Sequence, residues 1–313
     1  MNRIFTTAIA TICIVHLLGC GAGQHDVEAN LDDYIVGYVF EAEISGRLGR
    51  VALSKPTSLA IGAMGSLIIC DSGNNRLVKV KPNGEFIVEQ GGFGFSREQF
   101  YYPSALATPD GINLYLLDSS NDRIVKLDYD LNWLDSQSLS GLDLDDPAGR
   151  ATGLAVNSFG DIYVSDPHNR RIIKLDPNFT YESELTDIGA FLDPMQMTID
   201  RADNLYIVNS EDHNVVVFDA YDNYVRSFGE EEFTEPTGIC ASSIKNRVIV
   251  VDSHENRVRV FNTQGKILYT FGSTGIGEYR FEQAFGVCVD GNGRLYVSDY
   301  KGNRILVYRP VGE

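Results

Sequence analysis

An all-β fold of six blades closed into a ring follows from three observations: one strand pattern repeated six times, a turn at a fixed place within it, and an incomplete last copy. Six short apolar runs end in an acid or its amide, at Asp71, Asp118, Asp166, Asn209, Asp252 and Asp299. They lie 47, 48, 43, 43 and 47 residues apart, the spacing of one four-stranded propeller blade per copy. Each run is aromatic and β-branched, alternates with period two and is bounded by turn residues, so strand is the only regular structure the pattern needs.

Within each copy the order is the same. An innermost strand opens near Pro56, Pro103, Ala151, Pro194, Pro236 or Ala284. A turn rich in Gly, Asn and Asp follows, as in Asn157-Ser-Phe-Gly160 or Asp290-Gly-Asn-Gly293. The acid-ending strand comes next, then a turn, then a third strand such as 171–175 or 304–308. A more polar fourth strand closes the unit, as at 266–271. The sixth copy stops after its third strand, which would leave an open sheet edge. Residues 33–41 are strand-like and belong to no copy. They are expected to supply the outer strand of blade six and close the ring.

The N-terminus reads as an export signal. Arg3 precedes an apolar run over residues 4–18, too short for the roughly 20 residues of a spanning helix. The run ends in Leu17-Leu18-Gly19-Cys20, which resembles the bacterial lipobox. That resemblance implies cleavage before Cys20, acylation of its thiol and an extracytoplasmic, lipid-anchored place in the cell envelope. The expected organisation is a signal peptide over 1–19, a polar tether over 20–32 and a propeller over 33–313.

A net charge of −17 repels phosphate backbones and sets nucleic acid aside as a partner. It favours a soluble monomeric ring anchored to the membrane by its lipid alone. Cys70, Cys240 and Cys288 form no C-x-x-C pair, so neither a disulfide framework nor a zinc ribbon is expected. Cys240 and Cys288 share one innermost-strand position with Ala60, Ala107, Ala155 and Thr198, and small residues there let blades approach.

Comparison of the copies separates scaffold from candidate site. The turn after the second strand couples Asp71 to Arg76, Asp118 to Arg123, Asp166 to Arg171, Asp252 to Arg257 and Asp299 to Arg304; in blade four both partners become asparagine, Asn209 and Asn214. Joint loss predicts that the two groups meet, because removing one member of a buried pair can cost ~3–5 kcal/mol. The residue before each innermost strand differs in every copy: Lys55, Tyr102, Arg150, Asp193, Glu235 and Gln283. These six should ring the channel mouth, and their divergence is what an asymmetric ligand site requires. Asp143, Asp145, Asp146, Glu211, Asp212, Glu230, Glu231, Glu232 and Glu255 join Glu235 in making that face acidic, suited to a basic partner or a cation. His168, His213 and His254 occupy equivalent turns of blades three to five, which diverge with radius, so no metal site is assigned to them.

The run Thr152-Gly-Leu-Ala-Val-Asn-Ser-Phe-Gly-Asp-Ile-Tyr-Val-Ser-Asp-Pro-His-Asn-Arg-Arg-Ile-Ile-Lys-Leu-Asp176 resembles NHL repeats, and the resemblance extends over nearly the whole of 33–313. It implies a six-bladed propeller and leaves function open, since the family holds ligase, receptor-kinase, lyase and scaffold members. The expectation is a non-enzymatic binding or scaffold module presenting its acidic face to a protein, peptide or small-molecule partner. No catalytic residue and no cofactor is assigned; calcium is the one cofactor kept open. The alternative is a metal-dependent propeller enzyme at the channel mouth, similar to lactonases and esterases or to alpha-amidating lyases. Lys55 and Arg150 oppose a cation there, and no histidine lies on or beside an innermost strand.

Overall fold

The computed structural model describes residues 37–186, 193–242, 244 and 246–311. The expected signal peptide, the tether, Cys20 and residues 33–36 of the closing strand lie outside them. The described residues form six antiparallel four-stranded sheets. Blades one to five span 56–91, 103–138, 154–185, 194–228 and 236–271. Among the described residues no helix is long and apolar enough to cross a membrane.

Burial within a blade follows its sequence. The second and third strands of blade one, Leu67–Asp71 and Arg76–Val80, are buried throughout, because both faces of a middle strand pack on neighbouring blades. The outer strand Phe86–Gly91 is partly exposed and correspondingly more polar. The core is therefore a set of seams between blades. Ile68, Cys70 and Leu77 of blade one meet Leu106, Leu116 and Val125 of blade two, and five similar clusters fill the other seams.

Gly37–Ile44 closes the ring as the outer strand of blade six. It pairs antiparallel with Arg304–Val311, from Gly37 opposite Val311 to Ile44 opposite Ile305. Glu43 holds Arg304 at 2.9 Å and Glu41 holds Arg294 at 2.8 Å. In blade three the innermost ladder starts at Leu154, later than the expected Ala151. Gly153 instead donates to Ser165 Oγ at 2.6 Å, and blades one, two, four, five and six shift register at the same place.

Three further sets of contacts fasten blade to blade. On the upper face, which carries the interblade loops, hydroxyls donate to carbonyls of the next innermost strand: Ser72 to Pro103 at 2.5 Å, Ser119 to Ala151 at 3.2 Å and Ser298 to Thr57 at 2.7 Å. Glycine permits the closest approaches. A Cβ on Gly286 would lie 2.0 Å from the Thr57 carbonyl oxygen, and one on Gly153 2.0 Å from that of Met195. On the lower face, Lys79 Nζ donates to the Tyr129 carbonyl at 2.6 Å, while Lys174 Nζ and the Tyr163 hydroxyl both reach Asp222 at 2.9 Å.

Candidate functional site

The repeated acids fasten the upper loops. Asp71 accepts Ser54 N–H at 2.7 Å and Arg76 Nε at 2.7 Å. Asp118 accepts Tyr101 N–H and Arg123 Nε, Asp166 accepts Gly149 N–H and Arg171 Nε, and Asp299 accepts Glu282 N–H and Arg304 Nε. Burial raises the pKa of Asp118 despite these partners. Burial also opposes the charge on Arg304, but Asp299 and Glu43 outweigh it and raise its pKa. In blade four Asn209 repeats the loop contact, accepting Asp193 N–H at 2.9 Å.

The expected pair of Asp252 with Arg257 does not form. Arg257 is half exposed and lies 3.8 Å from Glu255, while Arg259, buried, reaches Asp252 at 3.6 Å and donates to Glu255 at 2.5 Å. Outer-strand acids support three of the other pairs. Glu89, Glu184 and Glu43 bind Arg76, Arg171 and Arg304. Thr270 stands at that place in blade five and Ser136 in blade two, yet Arg123 still reaches Asp118 at 2.9 Å, so the missing acid does not by itself turn Arg257 out. What sets blade five apart is Arg259 itself, two residues on along the same strand face, where the other blades have Val78, Val125, Ile173, Val216 and Leu306; it takes the acid instead.

The same turns fix the backbone of the channel mouth. Asn303 Oδ1 accepts Lys55 N–H at 2.8 Å and Asn75 Oδ1 accepts Tyr102 N–H at 2.8 Å. Asp299 accepts Gln283 N–H at 2.8 Å, and Asp252 accepts Glu235 N–H at 3.3 Å. Lys55 and Tyr102 adopt left-handed backbone, at φ 50° and 54°. That conformation is costly for a residue with a side chain, and these hydrogen bonds hold it.

The mouth side chains are disposed asymmetrically. Lys55 Nζ sits over the Tyr300 ring at 5.9 Å, the Arg150 guanidinium over the Tyr102 ring at 5.8 Å, and the Phe285 and Tyr300 rings lie 5.5 Å apart. Burial first, then the hydrogen bond with Tyr300, pushes the Tyr102 hydroxyl up and keeps it neutral. On the opposite arc, burial and the neighbouring Glu211 raise the pKa of Asp193. Among the described residues no ion pair involves Lys55, Arg150, Asp193, Glu211 or Glu235. The six mouth residues do not line the cavity of about 470 Å³ on the axis, which the innermost strands enclose; Phe285, which lines it, stacks on Tyr300 beneath Lys55.

The acidic face is only partly free. Asp143, Asp145, Asp146, Glu231 and Glu232 are exposed. Glu255 is taken by Arg259, Asp212 accepts Asn209 Nδ2 at 2.7 Å, and Glu230 accepts the Ser227 hydroxyl at 2.8 Å. Cys240 and Cys288 pack in the fifth-to-sixth and sixth-to-first seams, and burial pushes both thiols up. His168, His213 and His254 are exposed turn residues. Among the described residues no three His, Cys, Asp or Glu side chains gather as a metal site would need.

Tyr300 and Phe285 escaped the sequence comparison, though the copies carried their signal. Tyr300 follows Asp299 where other blades have Ser72, Ser119, Pro167, Ser210 and Ser253, and Phe285 aligns with Thr57, Ser104, Thr152, Met195 and Thr237. Also missed was an exposed aromatic trio beside the mouth: Phe93, Phe95 and Tyr101, with ring centroids 5.1–6.1 Å apart.

Comparison with known proteins adds to this geometry. A family described as NHL repeat matches residues 53–80, and one described as 6-bladed beta-propeller matches residues 231–310. Protein brain tumor of Drosophila melanogaster is 31% identical over 127 residues, 39% of this chain and 12% of that protein. The B-box type zinc finger protein ncl-1 of Caenorhabditis elegans is 31% identical over 126 residues, 38% of this chain and 15% of that protein. The match thus spans a small part of either relative. A streptogramin B lyase superposes with a TM-score of 0.62 at 14% identity, over 88% of this chain and 89% of that one. A virginiamycin B lyase from Staphylococcus aureus superposes at 0.61 and 13% identity, over 86% and 88%. At these identities the likeness shows the fold alone.

Proposed function

The chain is a six-bladed β-propeller carrying NHL repeats, and we propose that it is a binding module of the cell envelope whose partner docks on the upper face around the channel mouth. The observation that carries this reading is the set of uncompensated charges there. The scaffold pairs its ions blade by blade, whereas Lys55, Arg150, Asp193, Glu211 and Glu235 make no ion pair among the described residues. Charges fixed on a rigid frame and left unpaired favour a partner of complementary pattern. The exposed trio of Phe93, Phe95 and Tyr101 adds apolar area at the rim, as partner-binding surfaces do. A protein or peptide partner bringing basic groups to the acidic arc fits best. The export signal and Leu17-Leu18-Gly19-Cys20 support attachment by a lipid on Cys20 in the envelope, as an extracytoplasmic monomer.

Site-specific photo-crosslinking in intact cells tests the reading, with the photoreactive residue at position 102 on the mouth or at position 159 on the lower face. A discrete adduct from position 102 alone supports upper-face docking, and equal labelling or none at position 102 removes it. Labelling with a radioactive fatty acid, lost in Cys20→Ala, tests the anchor separately.

A further inference from the structure

The uncompensated charges of the mouth are sorted as well as unpaired. Round the ring, one residue per blade, run Lys55, Tyr102, Arg150, Asp193, Glu235 and Gln283. The cations flank Tyr102 on blades one and three, and the acids follow on blades four and five. Each arc has its own construction. Lys55 and Arg150 are held against aromatic faces, Tyr300 at 5.9 Å and Tyr102 at 5.8 Å. Such contacts orient a cation and leave N–H donors to meet an anion; Arg150 commits one to a long bond, 3.5 Å, to the Ser120 hydroxyl. Asp193, half-buried, and Glu235, exposed, stand on neighbouring blades with no cationic partner among the described residues, so their arc favours a cation. Below the mouth, along the axis, runs the cavity of about 470 Å³, which Phe285 lines and the mouth residues do not. Phe285 also stacks on Tyr300 at 5.5 Å.

Resting on the proposal that the mouth is the binding site, we infer that it takes a small zwitterion: a free carboxylate against Lys55 and Arg150, an ammonium against Asp193 and Glu235, and an apolar side chain over Phe285. Amino acids and short peptides with free ends share this chemistry. A purely basic partner would meet Lys55 and Arg150 as a repulsion, and a purely acidic one would meet Asp193, Glu211 and Glu235. A ligand with both charges satisfies both arcs, and the fixed backbone of the mouth spares it the cost of ordering the site.

Calorimetry on the full-length protein tests the inference. The probes are the tripeptide Ala-Phe-Ala with free ends, its N-acetylated form, its C-amidated form, and free phenylalanine. The free-ended tripeptide should bind, and capping either end should weaken binding by about tenfold, the effect of losing one charge-assisted hydrogen bond. In the double variant Lys55→Met/Arg150→Met, amidation should no longer matter while acetylation still does. In Asp193→Asn/Glu235→Gln the reverse should hold. Lys55, Arg150 and Glu235 are exposed and Asp193 half-buried, and an unchanged thermal midpoint confirms that each variant is folded. Preference for the tripeptide over phenylalanine, or the opposite, assigns the source as peptide ends or free amino acid. Binding indifferent to both caps, no binding of any probe, or variants that lose both preferences alike would overturn the inference. Should position 102 still crosslink a partner in those cases, the upper-face docking reading stands and only the zwitterion is wrong.

Discussion

At the scale of single residues, the pairing of acid and arginine shows how far repetition can be read. Five Asp–Arg couples and one Asn–Asn couple at the same spacing pointed to contact, and Asp71, Asp118, Asp166 and Asp299 make it. Blade five departs because two arginines, Arg257 and Arg259, lie on one strand face and compete for one acid, and spacing alone does not say which of them takes it. Arg257→Ala should therefore change stability by no more than about 0.5 kcal/mol. Arg259→Met should cost about 3–5 kcal/mol by leaving Asp252 buried without its cation. Chemical denaturation of the two variants checks the order, and equal losses would contradict the assignment. Gly286 offers a second test, since Ala there would place a methyl 2.0 Å from the Thr57 carbonyl oxygen. Overpacking at that blade seam should cost about 1–3 kcal/mol, seen as a lower midpoint of unfolding. Glycines were visible in the sequence; the backbone that each one faces was not.

At the scale of elements, the closing strand was legible because a sixth copy without a fourth strand has an edge to cover. Its bounds were less so. Residues 33–41 carried the pattern, whereas the strand runs on to Ile44, placed by ion pairs with Arg294 and Arg304 from a part of the chain far away in sequence. That placement makes the closure sensitive to acid. A hydrogen bond from Ser45, supported by Arg304, outweighs burial and holds the Glu43 carboxyl below the usual carboxylate range. A group whose pKa is depressed by folding stabilises the fold fully above its unfolded value, near 4.3 for glutamate. The contribution is lost as pH falls through the lower folded value. The wild type should thus exceed Glu43→Gln in urea midpoint near neutral pH, and the gap should close below about pH 4. A gap that stays constant, or widens in acid, would show that Glu43 is not part of the closure. The hydroxyl belt on the upper face was hidden for a related reason: the donor shifts from Ser72 and Ser119, after the acid, to Ser298, before it, so no single column of the repeat reports it.

At the scale of the whole molecule, the ring has two unlike faces, and the direction of its strands says which one the chain enters. Gly37 lies opposite Val311, at the lower end of blade six, and Ile44 opposite Ile305, beside the upper turn that holds Asp299 and Arg304. Gly37, the first described residue, therefore lies at the face away from the mouth. Lys55, Tyr102, Arg150, Asp193 and Glu235 all belong to the upper loops. The mouth was found by its divergence among copies that otherwise agree, and the entry face could be found only once the register of the closing strand was known. With Cys20 acylated and the protein bound to phosphatidylcholine vesicles, the lower face should lie nearer the bilayer and the mouth further away. A fluorophore on Phe159→Cys should then be quenched by headgroup-labelled lipid more than one on Tyr102→Cys. The difference should vanish for Cys20→Ser, which stays in solution. Stronger quenching at position 102 would mean that the mouth faces the membrane. Its partner would then have to be sought among lipids and their neighbours rather than in the space beyond.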